Sequence, residues 1–427
     1  MNHFDVVVIG GGQAGLGAGY YLRAAGRKFV IFESGRVGET WRSQRWDSFA
    51  VNTPNWANLL PGDRYDGDEP DGFYRRDELV DYFEAYAGKF ELPVVEGVTV
   101  TGVVASGDVF RVTCENATGA VETVTAANVV VASGIMRKPK VPGIRERFPE
   151  SLAQIHASDY RAPGDLPPGA VVVIGGGQSG CQISMDLIHA SRYVYLCTSK
   201  VGRLRRRYRQ RDVVEWAEDM GFWDVPVEDL SDAAIQFAAQ PQVSGVGRFG
   251  STLSLQSMAR DGVQLMGRLS DVEDGVLKTD DSLAEHIAFA DERSAEFTGM
   301  IENWIISSGT SAGPIEDDPN DEPAGAEVAR SGITELDLVE ADVGSVIWCT
   351  GFTADFDWIH ARVTDESGRP VHQRGISRVP GLYFLGFPWL HSRKSGIIHG
   401  IDEDARFIAE SIAARNTVTD STETSTG

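Results

Sequence analysis

Short apolar runs alternate along this chain with glycine-rich turns and stretches of helical periodicity. Residues 4–9 (FDVVVI) form a β-branched run bounded by glycine, the pattern of a strand buried on both faces. Gly10, Gly12 and Gly15 follow at G-x-G-x-x-G spacing. Residues 16–25 are then small and apolar up to Gly26, as in a tightly packed helix, and 29–32 (FVIF) return to strand. The same order recurs about 165 residues later: a strand over 171–174, glycines at 175, 177 and 180, a helix over 181–189 and a strand over 193–197. Between the copies, 98–104, 110–114 and 121–125 predict antiparallel strands, and 129–132 another buried strand. Farther on, Leu283, Ile287, Phe289, Phe297, Ile301 and Ile305 give 282–306 a helical period, whereas 309–329 is acidic, rich in Pro and Gly, and reads as a loop. Strands at 343–349 and 381–387 and a helix at 401–414 complete the pattern.

These elements predict an α/β fold of two Rossmann-like dinucleotide-binding domains, the second inserted in the first, with a small antiparallel β element and extra helices. The expected boundaries are 1–150 and 335–415 for the first domain and 151–334 for the second, with a helical insertion at about 212–330. The polar tail 416–427 is expected to be disordered.

Composition narrows the partners. The 427 residues carry 39 Lys plus Arg against 62 Asp plus Glu, a formal charge of −23. That balance excludes a nucleic-acid binder and argues against anionic membrane surfaces, and no apolar run is long enough to span a bilayer. With 19 Phe and 9 Trp the chain has material for real cores. The four cysteines, Cys114, Cys181, Cys197 and Cys349, lie far apart without C-x-x-C or metal-ligand spacing. They read as reduced thiols of a cytoplasmic protein, and no metal site is expected.

The chemistry sits on the repeat. In the first turn one glycine permits the bend, one lets backbone approach a pyrophosphate, and one lets helix pack on sheet. Gln13 and Ala14 lie inside that turn. Glu33, followed by Ser34, ends the next strand, where a carboxylate can accept from two ribose hydroxyls. The second copy, with Gln178 and Ser179 between its glycines, ends instead in Thr198, Ser199 and Lys200. An arginine-rich stretch follows, from Arg203 through Arg205, Arg206, Arg207 and Arg209 to Arg211. A ribose 2′-phosphate requires cations and hydroxyls there, so Ser199, Lys200 and Arg203 are its candidate ligands. The competing reading is a solvated or acid-paired arginine face. An acid-tipped turn and a basic-tipped turn together imply FAD and NADPH.

At this point the chain resembles the class B flavin monooxygenases, the group of flavin-containing monooxygenases and YUCCA-type enzymes. Residues 45–54 (RWDSFAVNTP) look like the segment in which that family sets an Asn, here Asn52, against the flavin. His156 and Tyr160 are similar to the end of the fingerprint F-x-G-x-x-x-H-x-x-x-[FY], although Glu150 and Leu152 replace its Phe and Gly. Tyr160 also replaces the Trp typical of Baeyer–Villiger enzymes. Thr350, Gly351 and Phe352 resemble the A-T-G-[YF] strand end, and 211–216 resembles bacterial flavin-dependent oxidoreductases that bring no substrate with them.

The resemblance implies an FAD-dependent, NADPH-consuming monooxygenase. Such an enzyme inserts one oxygen of O2 into a small organic substrate (N-, S- or C-oxygenation) through a C4a-hydroperoxyflavin. It implies that Asn52 hydrogen-bonds the flavin edge; the alternative is a turn Asn before Thr53 and Pro54. It places Trp41, Arg42, Thr53 and Leu390 beside FAD, with simple core packing as the other reading of Trp41. His391, Arg393 and Lys394 would stabilise reduced flavin or bind an acidic substrate, or else pair with phosphate or surface acids. His399 reads as a proton shuttle or as a satisfied buried His. Region 212–330 would close over the site or mediate a homodimer contact. The alternatives to a monooxygenase are an NADPH oxidase, a flavoprotein reductase or dehydrogenase, and a non-catalytic FAD-binding interaction protein.

Overall fold

The computed structural model describes residues 2–248, 250–323, 328 and 332–423. Two sheets dominate it, the first mixed around a parallel centre and the second parallel throughout. In the first, His3–Ile9 lies between Phe29–Phe32 and Val121–Val131, parallel to both, in a nine-stranded sheet. Val6, Val7 and Val8 are fully buried, as a β-branched run covered on both faces must be. Val121–Val131 is a single strand where the sequence predicts two. Its first half pairs antiparallel with Val109–Asn116 in the β meander, and its second half continues beside His3–Ile9. Helix Gln13–Ala24 packs against the last helix, Ile401–Glu423, where Gly17 leaves room for Ile401. That last helix runs on past Asn416, where the sequence predicts a disordered tail; residues 424–427 lie outside the described residues.

The second sheet has five parallel strands in the order Gln264–Met266, Val194–Cys197, Ala170–Ile174, Val343–Trp348 and Ala153–His156. Val343–Trp348 therefore belongs to this sheet, whereas the sequence division places 335–415 in the first domain. Two-sided burial reads alike in either sheet, so periodicity alone cannot assign the strand. The chain returns to the first lobe after it. There Phe352–Thr353 pairs antiparallel with Lys138–Pro139, which stitches the two crossings between lobes together.

The periodic stretch of the insertion is helical, but 212–330 is not helical throughout: it also holds strands Gln264–Met266, Leu269–Glu273 and Val276–Thr279. Leu283–Ser308 buries Leu283, Ile287, Phe297 and Ile301. Its C-terminal half and helix Val213–Asp219 share a cluster with Tyr208, Trp216 and, from the first lobe, Ala57. Among the described residues no helix is long and apolar enough to cross a membrane.

Candidate functional site

The first glycine turn is built for close approach. Gly10 has φ +113°, and a Cβ there would stand 2.4 Å from the Ala132 carbonyl oxygen. A Cβ on Gly15 would fall 1.8 Å from the Gly10 carbonyl, whereas one on Gly12 would meet nothing within 4 Å. The turn is thus closed behind and open in front, where the N-terminus of helix Gln13–Ala24 offers unpaired N–H groups. The buried Glu33 carboxylate accepts from Gly11 N–H at 2.6 Å and from Gly35 N–H at 2.8 Å, with the Ser34 hydroxyl at 3.2 Å. Trp41 Nε1 donates to Gln13 Oε1 at 2.8 Å, tying that indole to the turn. Arg42 is held by Glu84. Ala14 lies under Gly386, whose Cβ would be 2.4 Å from that of Ala14, so the C-terminal segment runs directly beside this turn.

The second turn repeats the geometry. Gly175 has φ +115° and backs on the Cys349 carbonyl. Gly180 would clash with the Gly175 carbonyl at 1.8 Å, and Gly177 is open. Ser199 replaces the acid, its hydroxyl accepting from Gly176 N–H at 3.1 Å. Ser179 is half-buried in the first turn of helix Gln178–His189. Gln178 exchanges two hydrogen bonds with the backbone of Val243, and Gln242 Nε2 donates to the Gly176 carbonyl. A segment of the insertion therefore lies against this turn.

The arginine stretch behaves differently from the expectation. Arg203 is 2% exposed and is spent on Asp291 (2.9 Å), Asp321 and Ser294. The structure makes it an internal ion pair rather than a phosphate ligand, because a buried guanidinium donating to two half-buried carboxylates and a serine has little left for a ligand. Arg206 pairs with Asp212, Arg209 with Glu302, and Arg211 with Glu215 and Asp219. Lys200 alone of the three candidate cation and hydroxyl ligands keeps a loose partner, an exposed 2.8 Å pair with Glu285 beside the Phe289 ring.

At the seam between lobes sits Asn52. Its Oδ1 accepts from Gln182 Nε2 (2.8 Å) and its carbonyl accepts from Arg206 Nη1 (2.6 Å), both second-lobe groups. Arg206 is 1% exposed, with Nε and Nη2 donating to Asp212 Oδ2 and its guanidinium 4.3 Å from the Phe73 ring. Burial pushes the Asp212 carboxyl up and the Arg206 guanidinium down, and their hydrogen bonds oppose both shifts. Thr53 closes a local turn with Asn58: its hydroxyl donates to Asn58 Oδ1 at 2.6 Å. Neither Gln182 nor Arg206 emerges from motif reading. The one available signal is that Gln182 stands four residues after Gln178, on the same helix face.

The C-terminal segment completes the site. Leu390 is buried in the first lobe's core beside Phe387. His391 and Lys394 share Glu403 with Arg374, and Lys394 also reaches Asp224 of the insertion. His399 Nε2 is 2.7 Å from Glu218, with its ring edge-on to Trp56 and Trp223. Arg393 stacks on Phe222 (4.1 Å) and Trp389 (5.0 Å). Its Nε is buried without an acceptor, and no carboxylate pairs with it among the described residues. Burial raises the Asp404 carboxyl to about 6, in the first turn of the last helix.

Thr350, Gly351 and Phe352 lie at the crossing between lobes. The Thr350 hydroxyl donates to the Lys140 carbonyl. His156 Nε2 donates to the Gly351 carbonyl at 3.0 Å while its ring meets Phe352 edge-on. Burial lowers the His156 pKa, as befits a neutral structural imidazole. Burial also pushes the thiols of Cys181 and Cys197 up to about 12, so neither is a nucleophile at neutral pH.

The pyridine nucleotide-disulphide oxidoreductase family matches residues 7–217. The uncharacterized oxidoreductase CzcO-like of Geobacillus kaustophilus (strain HTA426) is 32% identical over 420 residues, covering 96% of this chain and 99% of its own. Indole-3-pyruvate monooxygenase YUCCA1 of Oryza sativa subsp. japonica is 26% identical and covers 95% of this chain and 90% of its own. The solved flavin-containing monooxygenase from Stenotrophomonas maltophilia shares the fold with a TM-score of 0.64 at 22% identity, covering 97% of this chain and 99% of its own.

Proposed function

We propose that this chain, which belongs with the CzcO-like oxidoreductases, is a class B flavin-dependent monooxygenase working with FAD and NADPH, and that it transfers one oxygen atom of O2 to a small organic anion. The residues present fit both cofactors. Each turn has an open middle glycine and a closed last glycine, one beside a buried carboxylate and the other beside a hydroxyl. FAD, when bound, supplies acceptance of hydride from NADPH and activation of O2.

The chain's own residues do the rest. Glu33 holds ribose hydroxyls. Asn52 donates from its amide at the seam and shields the reacting centre from water. Lys394, balanced by Glu403 and Asp224, keeps positive charge near the first turn of the last helix, with His391 on the same Glu403. His399, paired with Glu218, holds a proton at Nε2 that the pair can give or take.

The observation that carries the substrate class is Arg393. Each other basic side chain of residues 391–399 has a carboxylate within 4 Å, and this one has aromatic rings instead. A half-buried guanidinium without an anion, between Phe222 and Trp389, suits a carboxylate carried on an apolar body. The rice relative is named for indole-3-pyruvate, itself an organic anion.

The test measures NADPH consumption, H2O2 release and oxygenated product across matched carboxylates and their neutral amides. Carboxylates are expected to accelerate NADPH consumption and suppress peroxide, and Arg393→Met should erase that preference. Equal responses to acids and amides would remove the anion from the reading. Peroxide accounting for all NADPH under every condition would make the protein an NADPH oxidase.

A further inference from the structure

Gln182 is a polar side chain whose hydrogen-bonding capacity is half used. It lies on helix Gln178–His189, one turn beyond the open glycine turn of the second lobe, and is 6% exposed. Its Nε2 donates to Asn52 Oδ1, but its Oε1 is buried and accepts from nothing among the described residues. Buried acceptors are nearly always paired, so one left over at a seam between two ligand-binding lobes points to a donor brought by a ligand.

The surroundings leave Asn52 little freedom. Its carbonyl is taken by Arg206, and Gly245 of the insertion backs onto the preceding peptide, where a Cβ would lie 1.9 Å from the Val51 carbonyl oxygen. Once Oδ1 is committed to Gln182, rotation of the amide is fixed and Nδ2, which has no protein partner among the described residues, is the end left for a ligand.

Resting on the FAD and NADPH reading above, we propose that Gln182 is a positioning residue that serves both dinucleotide sites at once. Its Nε2 orients Asn52 so that the amide N–H groups face the cleft between lobes. Its Oε1 accepts from an N–H group of the ligand held there, which on a nicotinamide ring is the carboxamide. One side chain thereby makes the orientation of Asn52 depend on the helix that receives the second dinucleotide.

The two ends of the amide can be separated experimentally. Purified FAD-containing protein is titrated with NADP+ while flavin absorbance is followed, and the fraction of NADPH electrons appearing as H2O2 is measured separately. Gln182→Met removes both ends: NADP+ affinity should fall about fivefold, the loss of one hydrogen bond, and the peroxide fraction should rise. Gln182→Glu keeps the acceptor and loses the donor, so affinity should stay within about twofold or tighten, while peroxide rises above that of Gln182→Met. In the Asn52→Ala background, Gln182→Met should add nothing to the peroxide fraction, which a mere packing role would not predict. Unchanged NADP+ affinity in Gln182→Met, wild-type coupling in Gln182→Glu, or additive effects in the double variant would each overturn the proposal. If Asn52→Ala alone leaves coupling unchanged, the flavin-facing reading of Asn52 fails and takes the proposal with it. A wild type that binds no flavin would instead defeat the cofactor reading.

Discussion

The two glycine turns solve the same steric problem and part at one side chain. In each, a Cβ on the last glycine would fall 1.8 Å from a carbonyl oxygen, of Gly10 in one and Gly175 in the other, and the middle glycine faces open space. In each, the glycine between carries an N–H that reaches the end of the neighbouring strand. There the first lobe offers the Glu33 carboxylate at 2.6 Å and the second the Ser199 hydroxyl at 3.1 Å. The backbone makes a site for a dinucleotide, and on the proposed reading the strand-end side chain decides which ribose it accepts. The lobes also differ in their surroundings. The first turn meets the C-terminal segment of its own lobe, while the second is covered by the insertion through Gln242 and Val243.

The sharpest way to break the parallel is to overfill each turn separately. Gly15→Ala should yield protein that purifies colourless. Gly180→Ala should stay yellow but lose roughly a hundredfold in NADPH-driven flavin bleaching, because backbone carbonyls cannot yield to a methyl group. Visible absorbance and anaerobic bleaching check the pair; loss of flavin from both variants would show that the lobes do not bind independently. The arginine stretch comes next. Arg206→Met strands Asp212 as a buried charge and should cost about 3–5 kcal/mol in chemical denaturation. Arg203→Met should likewise lower stability while leaving the NADPH-to-NADH ratio of kcat/KM unchanged; a collapse of that ratio would restore Arg203 as a phosphate ligand. Smaller still, Ser199→Glu should convert the second turn toward the first and reduce the NADPH preference about tenfold, roughly the value of one charged hydrogen bond. Lys200→Ala should reduce it only about threefold, since the lysine begins in an exposed pair.

The repeat was readable from sequence because its physics is local. A buried strand, glycines where backbone must pass, and a following helix all leave marks within thirty residues. That Glu33 and Ser199 end the neighbouring strands beside those turns is readable for the same reason. Arg203 was not, because whether a cation meets phosphate or carboxylate depends on Asp291 and Asp321, about a hundred residues away on elements that periodicity cannot place. Gln182 was invisible for a related reason: its partner Asn52 lies 130 residues off, in the other lobe. The same distance problem misassigned Val343–Trp348, whose composition suits either sheet. The acid excess is partly accounted for: Asp212, Asp291, Glu302 and Asp321 neutralise the arginines that fasten the insertion.

The ribbon formed where Lys138–Pro139 meets Phe352–Thr353 sets the mechanical character of the molecule. Two independent tethers would let the lobes twist, slide and tilt. Crossings hydrogen-bonded edge to edge, and pinned by His156 at Gly351, leave each strand less room to move without its neighbour.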